Sequence, residues 1–426
     1  MSANPGLAYH DTPPLSAPLR FFLTAPLFGI ATGLLLLADP GALASRWTPG
    51  ALAAVHLFAA GFMLQVMIGA LLQIMPVVAG AALPAPRRLA ALSHVVLAAG
   101  AIALPWGLAR GAPGAMLGGA ALLAAGLVVF LGSAAFALIS APRVAGASRT
   151  PRDLRLAFVG LAVTAAIGFT LALALSRGIA LPVALPTLVD LHAGWAWLGW
   201  GGVLLAATGW VVVPMFQITP AYPDRLTRWW APAVLALLFG WSAAALGAWA
   251  PFDTLAGVAL LVLAATFAVA TLRLQSRSRR STPDASFRAY RLAMIAALGG
   301  VLALFASLAA DAERLPVLAG VLMLHGAFGG AISAMLYKIV PFLTWLHLTQ
   351  AGIKAPNVKK LLPDAPMRMQ LRLHAVCLGA LVAAALLPPA APLAGALVAV
   401  EFAWLLANLI RVVRAGQRAR AVALQT

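Results

Sequence analysis

The sequence predicts an all-α polytopic membrane protein of about twelve transmembrane helices. Three observations carry that expectation. Across 426 residues, 63% are apolar and only 9% are charged, too little charge to cover a soluble surface of that size. Mean hydropathy is +0.96. The apolar runs are about 20 to 28 residues long, enough to cross a hydrocarbon layer of ~30 Å as helices. A transmembrane β-barrel would instead show short alternating segments.

The runs fall at 21–38, 51–76, 88–106, 114–140, 154–176, 185–213, 229–248, 253–272, 289–309, 315–342, 369–387 and 390–412. The first follows a Pro-rich stretch with a single Arg20, and no small-residue cleavage site precedes Asp39. It reads as a retained helix rather than a signal peptide. Only Trp249, Ala250, Pro251 and Phe252 separate the seventh and eighth runs, which implies a tight hairpin. Pro388, Pro389 and Pro392 break the last two. The longest linker, Leu343 to Met367, carries Trp345, His347 and several lysines, the pattern of a short interfacial helix. One transmembrane domain over 21–413 is expected between tails at 1–20 and 414–426, with four-helix repeats at roughly 21–140, 154–272 and 289–413.

Net charge is +18. With the N-terminus inside, 25 of the Lys and Arg residues fall in inner segments, Arg143 among them, and only Arg46, Arg110, Arg177 and Arg314 fall outside. That bias places both termini on the inner side of a bacterial inner membrane. The basic loops lack interleaved aromatics, so nucleic acid is not an expected partner; the lipid bilayer is. The single cysteine, Cys377, excludes an internal disulfide and argues against an iron–sulfur cluster.

A four-residue pattern recurs: Gln73-Ile74-Met75-Pro76, Gln217-Ile218-Thr219-Pro220 and Lys338-Ile339-Val340-Pro341. Each copy closes an apolar run that carries one histidine near its start, His56, His192 or His325. The separations from histidine to proline are 20, 28 and 16 residues, differing by multiples of four, close to whole helical turns. The second, sixth and tenth helices therefore each bring one imidazole to similar depth in the outer half of the membrane. An imidazole in hydrocarbon needs a partner. A helix–helix hydrogen bond would serve for any one of them, but the shared position in three related helices points to a haem or metal site. The surroundings suit a flat apolar guest: Phe62, Met63, Phe328 and Gly329 are candidate cofactor contacts beside His56 and His325, and Trp195 and Trp197 flank His192.

Each proline frees the carbonyl four residues earlier, on Leu72, Phe216 and Tyr337, and Gln73, Gln217 and Lys338 stand ready to compensate. They would otherwise line a polar route on the inner side. Lys338 can snorkel to the inner surface, and Tyr337 is a candidate for proton or electron transfer. A second set, His94, His347 and His374, belongs near the inner face, as interfacial hydrogen-bonders or as flanks of a quinone head or second metal. His10 lies in the tail. Asp190 reads as an N-terminal helix cap.

The segment from His56 to Pro76, DLHAGWAWLGW around His192 and LHGAFGGAISAMLYKIVPF around His325 resemble the histidine-bearing helices of haem–copper oxidase subunit I and of the NnrS-like haem–copper membrane proteins. The resemblance implies a low-spin haem b held by His56 and His325, with His192 at a copper site. It implies a quinol or redox-protein partner and, from the NnrS-like proteins, nitric-oxide or small-gas chemistry. Three features depart from the oxidase pattern, one of them the absence from the sixth helix of the tyrosine that many such oxidases carry there. The seventh helix lacks the adjacent histidine pair that completes the copper site, and the tenth carries one histidine where two haems need two. Complete oxygen reduction is therefore not implied. Two other classes remain open at the level of sequence. A transporter or metal permease would suit the proline-broken helices, but the paired acidic residues of an ion-coupled carrier are missing. A noncatalytic sensing or assembly subunit is the other.

Overall fold

The computed structural model describes residues 12–141, 149–310, 312–423 and 425; His10 and Arg143 lie outside the described residues. Among those described, every regular element is helical, and twelve helices are long and apolar enough to cross a membrane. They are α1 Ser16–Ala38, α2 Pro49–Ala79, α3 Pro86–Arg110, α4 Pro113–Ser140, α5 Thr150–Arg177, α6 Leu185–Gln217, α7 Asp224–Leu246, α8 Ala250–Ser276, α9 Ala285–Ala309, α10 Arg314–Gln350, α11 Asp364–Leu386 and α12 Pro388–Ala423.

Local chemistry sets many of the boundaries. Thr48 caps α2 by accepting from Ala51 N at 3.0 Å, and Pro49 fills the first helical position. Asp284 Oδ1 accepts from Phe287 N at 2.9 Å ahead of α9. Gly111 and Gly178 end α3 and α5 with positive φ, a conformation that costs a glycine nothing.

Three boundaries differ from expectation. The stretch from Leu343 to Gln350 is not linker: α10 runs through Pro341 and continues to Gln350. A transmembrane proline is tolerated where other groups compensate the broken turn. Most of the predicted C-terminal tail is helix, because α12 continues to Ala423. Of the three recurrent prolines, Pro76 and Pro341 lie inside helices, whereas α6 ends at Gln217 and Pro220 lies beyond it.

The helices sort into two compact units. One gathers Pro14–Gly69, Ser281–Ala303 and Ala310–Thr426, and so holds α1, the first part of α2, most of α9, and α10 to α12. Within it, α1 lies directly on α12. Gly33 faces the backbone of Ala399, and Gly395 faces the backbone of Leu37. The missing side chains let the two helices touch main chain to main chain. The other unit is built mainly of Ala70–Arg280. There Trp210, Tyr222, Trp230 and Phe267 pack edge to face and stacked, and Trp210 Nε1 donates to the buried Asp153 carboxylate at 2.9 Å.

α2, α6 and α10 share a feature that the sequence did not announce. Each contains a π-helical segment: Leu57–Met63, Trp195–Gly202 and Leu322–Gly329. His56 immediately precedes the first, His192 stands three residues before the second, and His325 lies inside the third. Such wide turns are rare and cluster at functional sites.

Candidate metal centre

α10, α11 and α12 deliver the side chains of the centre. Gln370 and His374 are four residues apart and share a face of α11; Glu401 and Asn408, seven apart, share a face of α12. His325 is 5% exposed, His374 2% and Glu401 0%. One ligand atom from each of these three lies within 4.8 Å of the others.

His374 Nδ1 is 2.9 Å from Glu401 Oε1, and Gln370 Nε2 donates to the same oxygen at 3.2 Å. With that oxygen already accepting, His374 Nδ1 is the donor of its pair. Glu401 Oε2 stands 3.1 Å from His325 Nε2, without hydrogen-bond geometry. The His325 and His374 rings stack, with centroids 4.8 Å apart and planes at 19°. Cys377, three residues beyond His374 on α11, is fully buried. Three buried atoms, His325 Nε2, His374 Nε2 and Glu401 Oε2, are left without a hydrogen-bond partner. Burying such atoms unpaired is costly, and two imidazoles with one carboxylate form a donor set that a cation can satisfy.

A hydrogen-bonded chain leads away from the carboxylate. Tyr337 OH donates to Gln370 Oε1 at 3.1 Å, Asn408 Nδ2 to Tyr337 OH at 3.0 Å, and Arg411 Nη1 to Asn408 Oδ1 at 3.1 Å. Every donor points toward Glu401, from an exposed guanidinium to a fully buried acid. Donors aligned in one direction polarise one another and favour negative charge at the end of the chain. The two amide links carry no exchangeable proton relay of their own, so the arrangement fixes and stabilises the carboxylate rather than conducting protons.

Phe58 and Phe402 line His325, with centroids at 6.1 and 6.2 Å. Phe62 is fully buried and reaches the histidine only indirectly, through its contacts with Phe58 and Phe402 at 5.2 and 4.8 Å. Met63 and Phe328 are buried core residues. Gly329 sits against Phe58, where an added Cβ would meet the ring at 2.9 Å.

The three histidines expected to converge have separate surroundings. His56 Nδ1 bonds to Leu52 O at 2.7 Å, within its own helix. His192, in the unit built on Ala70–Arg280, bonds through Nδ1 to Thr164 O at 3.1 Å. His325 is directed at Glu401 and stacked on His374. Of the second histidine set, only His374 belongs to this cluster. His347 Nδ1 bonds to Leu343 O at 2.9 Å, and His94 is half-buried in α3.

The other singled-out residues also find definite places. Asp190 is not a helix cap: the cap position of α6 is Ala184, and Asp190 lies well into the helix. Phe216 O, the carbonyl expected to need compensation near Pro220, accepts from Arg280 Nη2 at 2.8 Å, so a distant arginine serves it rather than Gln217. Gln217 Oε1 instead accepts from Gln275 Nε2 at 2.8 Å. Lys338 Nζ forms an ion pair with Asp284 Oδ2 at 2.6 Å. Gln73 Oε1 is buried without a hydrogen-bond partner.

Sequence reasoning missed Glu401, Gln370 and Asn408. For Glu401 the signal was present: it is the one acidic residue in the apolar run 390–412, and an intramembrane carboxylate marks a functional site by default. The chain matches no protein-family model and no curated protein.

Proposed function

We propose that the chain is a polytopic membrane metalloprotein in which His325, His374 and Glu401 hold one first-row divalent ion for redox or small-molecule chemistry inside the bilayer. The observation that carries this reading is the cluster itself: two imidazoles and a carboxylate, all buried, with His325 Nε2 and Glu401 Oε2 facing each other at 3.1 Å and both unpartnered. Two nitrogens and one oxygen suit borderline metals such as iron, copper, manganese or zinc, and a set of two histidines and one carboxylate leaves coordination positions open for a small molecule. Glu401, held by Gln370 and by the chain that ends at Arg411, would be the anionic ligand; His325 and His374 would supply the nitrogens.

A haem is the second reading, carried over from the resemblance to haem–copper proteins. It is favoured by the His56 bond to Leu52 O, which fixes the orientation of the imidazole through Nδ1. It needs His325 to turn its Nε2 away from Glu401, and the 4.8 Å stack on His374 leaves no room for a macrocycle between those two rings. The non-haem centre leaves His325 in place and requires only that the proton on His374 Nδ1 move to Nε2. The π segments at equivalent places in α2, α6 and α10 support the three-repeat description, and the charge bias supports termini on the inner side of a bacterial inner membrane. Electron exchange with a quinol or a redox protein belongs to the same proposal.

Metal analysis and a visible spectrum of detergent-purified protein separate the readings. The expected result is about one equivalent of a first-row metal, lost in His325→Ala and His374→Ala and retained in His56→Ala and His192→Ala. A pyridine haemochrome that disappears in His56→Ala would give the site to haem. Absence of any metal, even after reconstitution, would overturn both and favour a carrier.

A further inference from the structure

A small cavity lies beside the centre, with room for about one water molecule (≈ 10 Å³). Its walls come from α9, α10 and α11, and include Ser286, Gly330, Ser333, Tyr337, Gln370 and His374. Gly330, Ser333 and Tyr337 recur at helical spacing on α10, as do Gln370 and His374 on α11, so each helix turns one continuous face to the space.

Two of the lining polar atoms have no hydrogen-bond partner: His374 Nε2, on a residue 2% exposed, and Ser333 Oγ, on a residue 3% exposed. The nitrogen faces the Gly330 wall, since a Cβ built there would fall 2.8 Å from it. Ser286 Oγ is already used, donating to Ala334 O at 2.7 Å.

We infer that this cavity is a binding site for a single water-sized polar molecule, held by His374 Nε2 and Ser333 Oγ. The occupant must both donate and accept hydrogen bonds. In a neutral ring that donates from Nδ1 to Glu401, Nε2 is an acceptor; in the imidazolium both nitrogens donate. Were a cation to take Nδ1, the ring proton would reside on Nε2, which would become a donor. Water meets both demands; a dedicated donor or a dedicated acceptor meets only one. A histidine that ligates a metal commonly gives its other nitrogen to such a partner. The role of the molecule as support for a metal ligand rests on the function proposed above, whereas its presence does not. Occupancy also confines any exchangeable ligand on this side of the centre to molecules of about water size.

The test is magic-angle-spinning NMR of the full chain, 15N-labelled at histidine, in lipid vesicles. It reads transfer of magnetisation from water protons to the His374 side chain, assigned by its loss in His374→Gln. Metal content is measured on the same sample. Transfer to Nε2 is expected in the unsubstituted protein and should be lost in Gly330→Ala, whose methyl takes the space. Ser333→Ala removes a partner without adding bulk and should weaken transfer even if Gly330→Ala does not fold. No transfer in the unsubstituted protein, or transfer unchanged in both variants, overturns the inference. Transfer in a sample that binds no metal upholds the site while removing the metal reading.

Discussion

His374 Nδ1 lies 2.9 Å from Glu401 Oε1, a contact that ties α11 to α12. Both residues are essentially out of reach of solvent. A carboxylate placed there persists because it accepts from His374 and Gln370 and lies against His325. The consequence is a site whose geometry depends on one acid.

Glu401→Gln tests that dependence. The amide keeps the shape and an acceptor oxygen but removes the anionic ligand, so metal content is expected to fall at least about tenfold. Glu401→Ala also leaves His374 and Gln370 without their acceptor and should lower unfolding free energy by about 1–3 kcal/mol. Metal analysis and denaturant titration in detergent read the two effects. A full metal complement in Glu401→Gln would remove this residue from the ligand set.

Tyr337 and Gln370 should behave differently from each other. Tyr337→Phe deletes one oxygen and two hydrogen bonds, to Gln370 and from Asn408. The expected cost is about 1–3 kcal/mol of stability, with the metal still bound. Gln370→Leu removes a direct partner of Glu401 and should weaken metal affinity by about 10–100-fold. Competition titration against a chelator measures the affinities; equal losses in both variants would contradict the ordering of the chain.

Asp284 holds two positions at once, capping α9 through Phe287 N and pairing with Lys338. Asp284→Ala loses the cap, worth about 1 kcal/mol, in addition to the pair. Lys338→Met loses only the pair. Thermal unfolding in detergent should therefore show the larger drop for Asp284→Ala. Equal drops would mean the cap contributes nothing.

The contact of α1 with α12 makes Gly395 sensitive to size. A methyl there would press on the backbone of α1 at Leu37, so Gly395→Ala is expected to cost about 1–3 kcal/mol. Gly379, which meets nothing within 4 Å, serves as the control, and Gly379→Ala should be neutral or slightly stabilising. Comparable unfolding midpoints for the two variants would argue against the close helix approach.

Much of the fold was legible because the signal lies along the chain. The run from Gly114 to Ser140 contains no charged residue, and the structure makes it the body of α4. Helix ends were less legible. Pro341 suggested a stop, yet α10 continues to Gln350, because proline removes one donor and does not by itself end a helix whose other groups compensate the broken turn. The π segments left no mark in composition or periodicity.

Within the candidate site, His325 was found from its place in a recurrent motif and His374 from being a histidine in a helix, but they were assigned to different sets. Glu401 passed as an ordinary acid. Sequence by itself determined the membrane class, the twelve helices and the scarcity of polar groups within them, since these follow from length, hydropathy and charge summed locally. Only the tertiary structure decided that residues 325, 374 and 401 meet while His192 is placed in the other unit. The physical reason is that an intramembrane polar group must find a partner, but which partner it finds depends on how helix faces pack, and that is a property of the packed helices together rather than of any one segment.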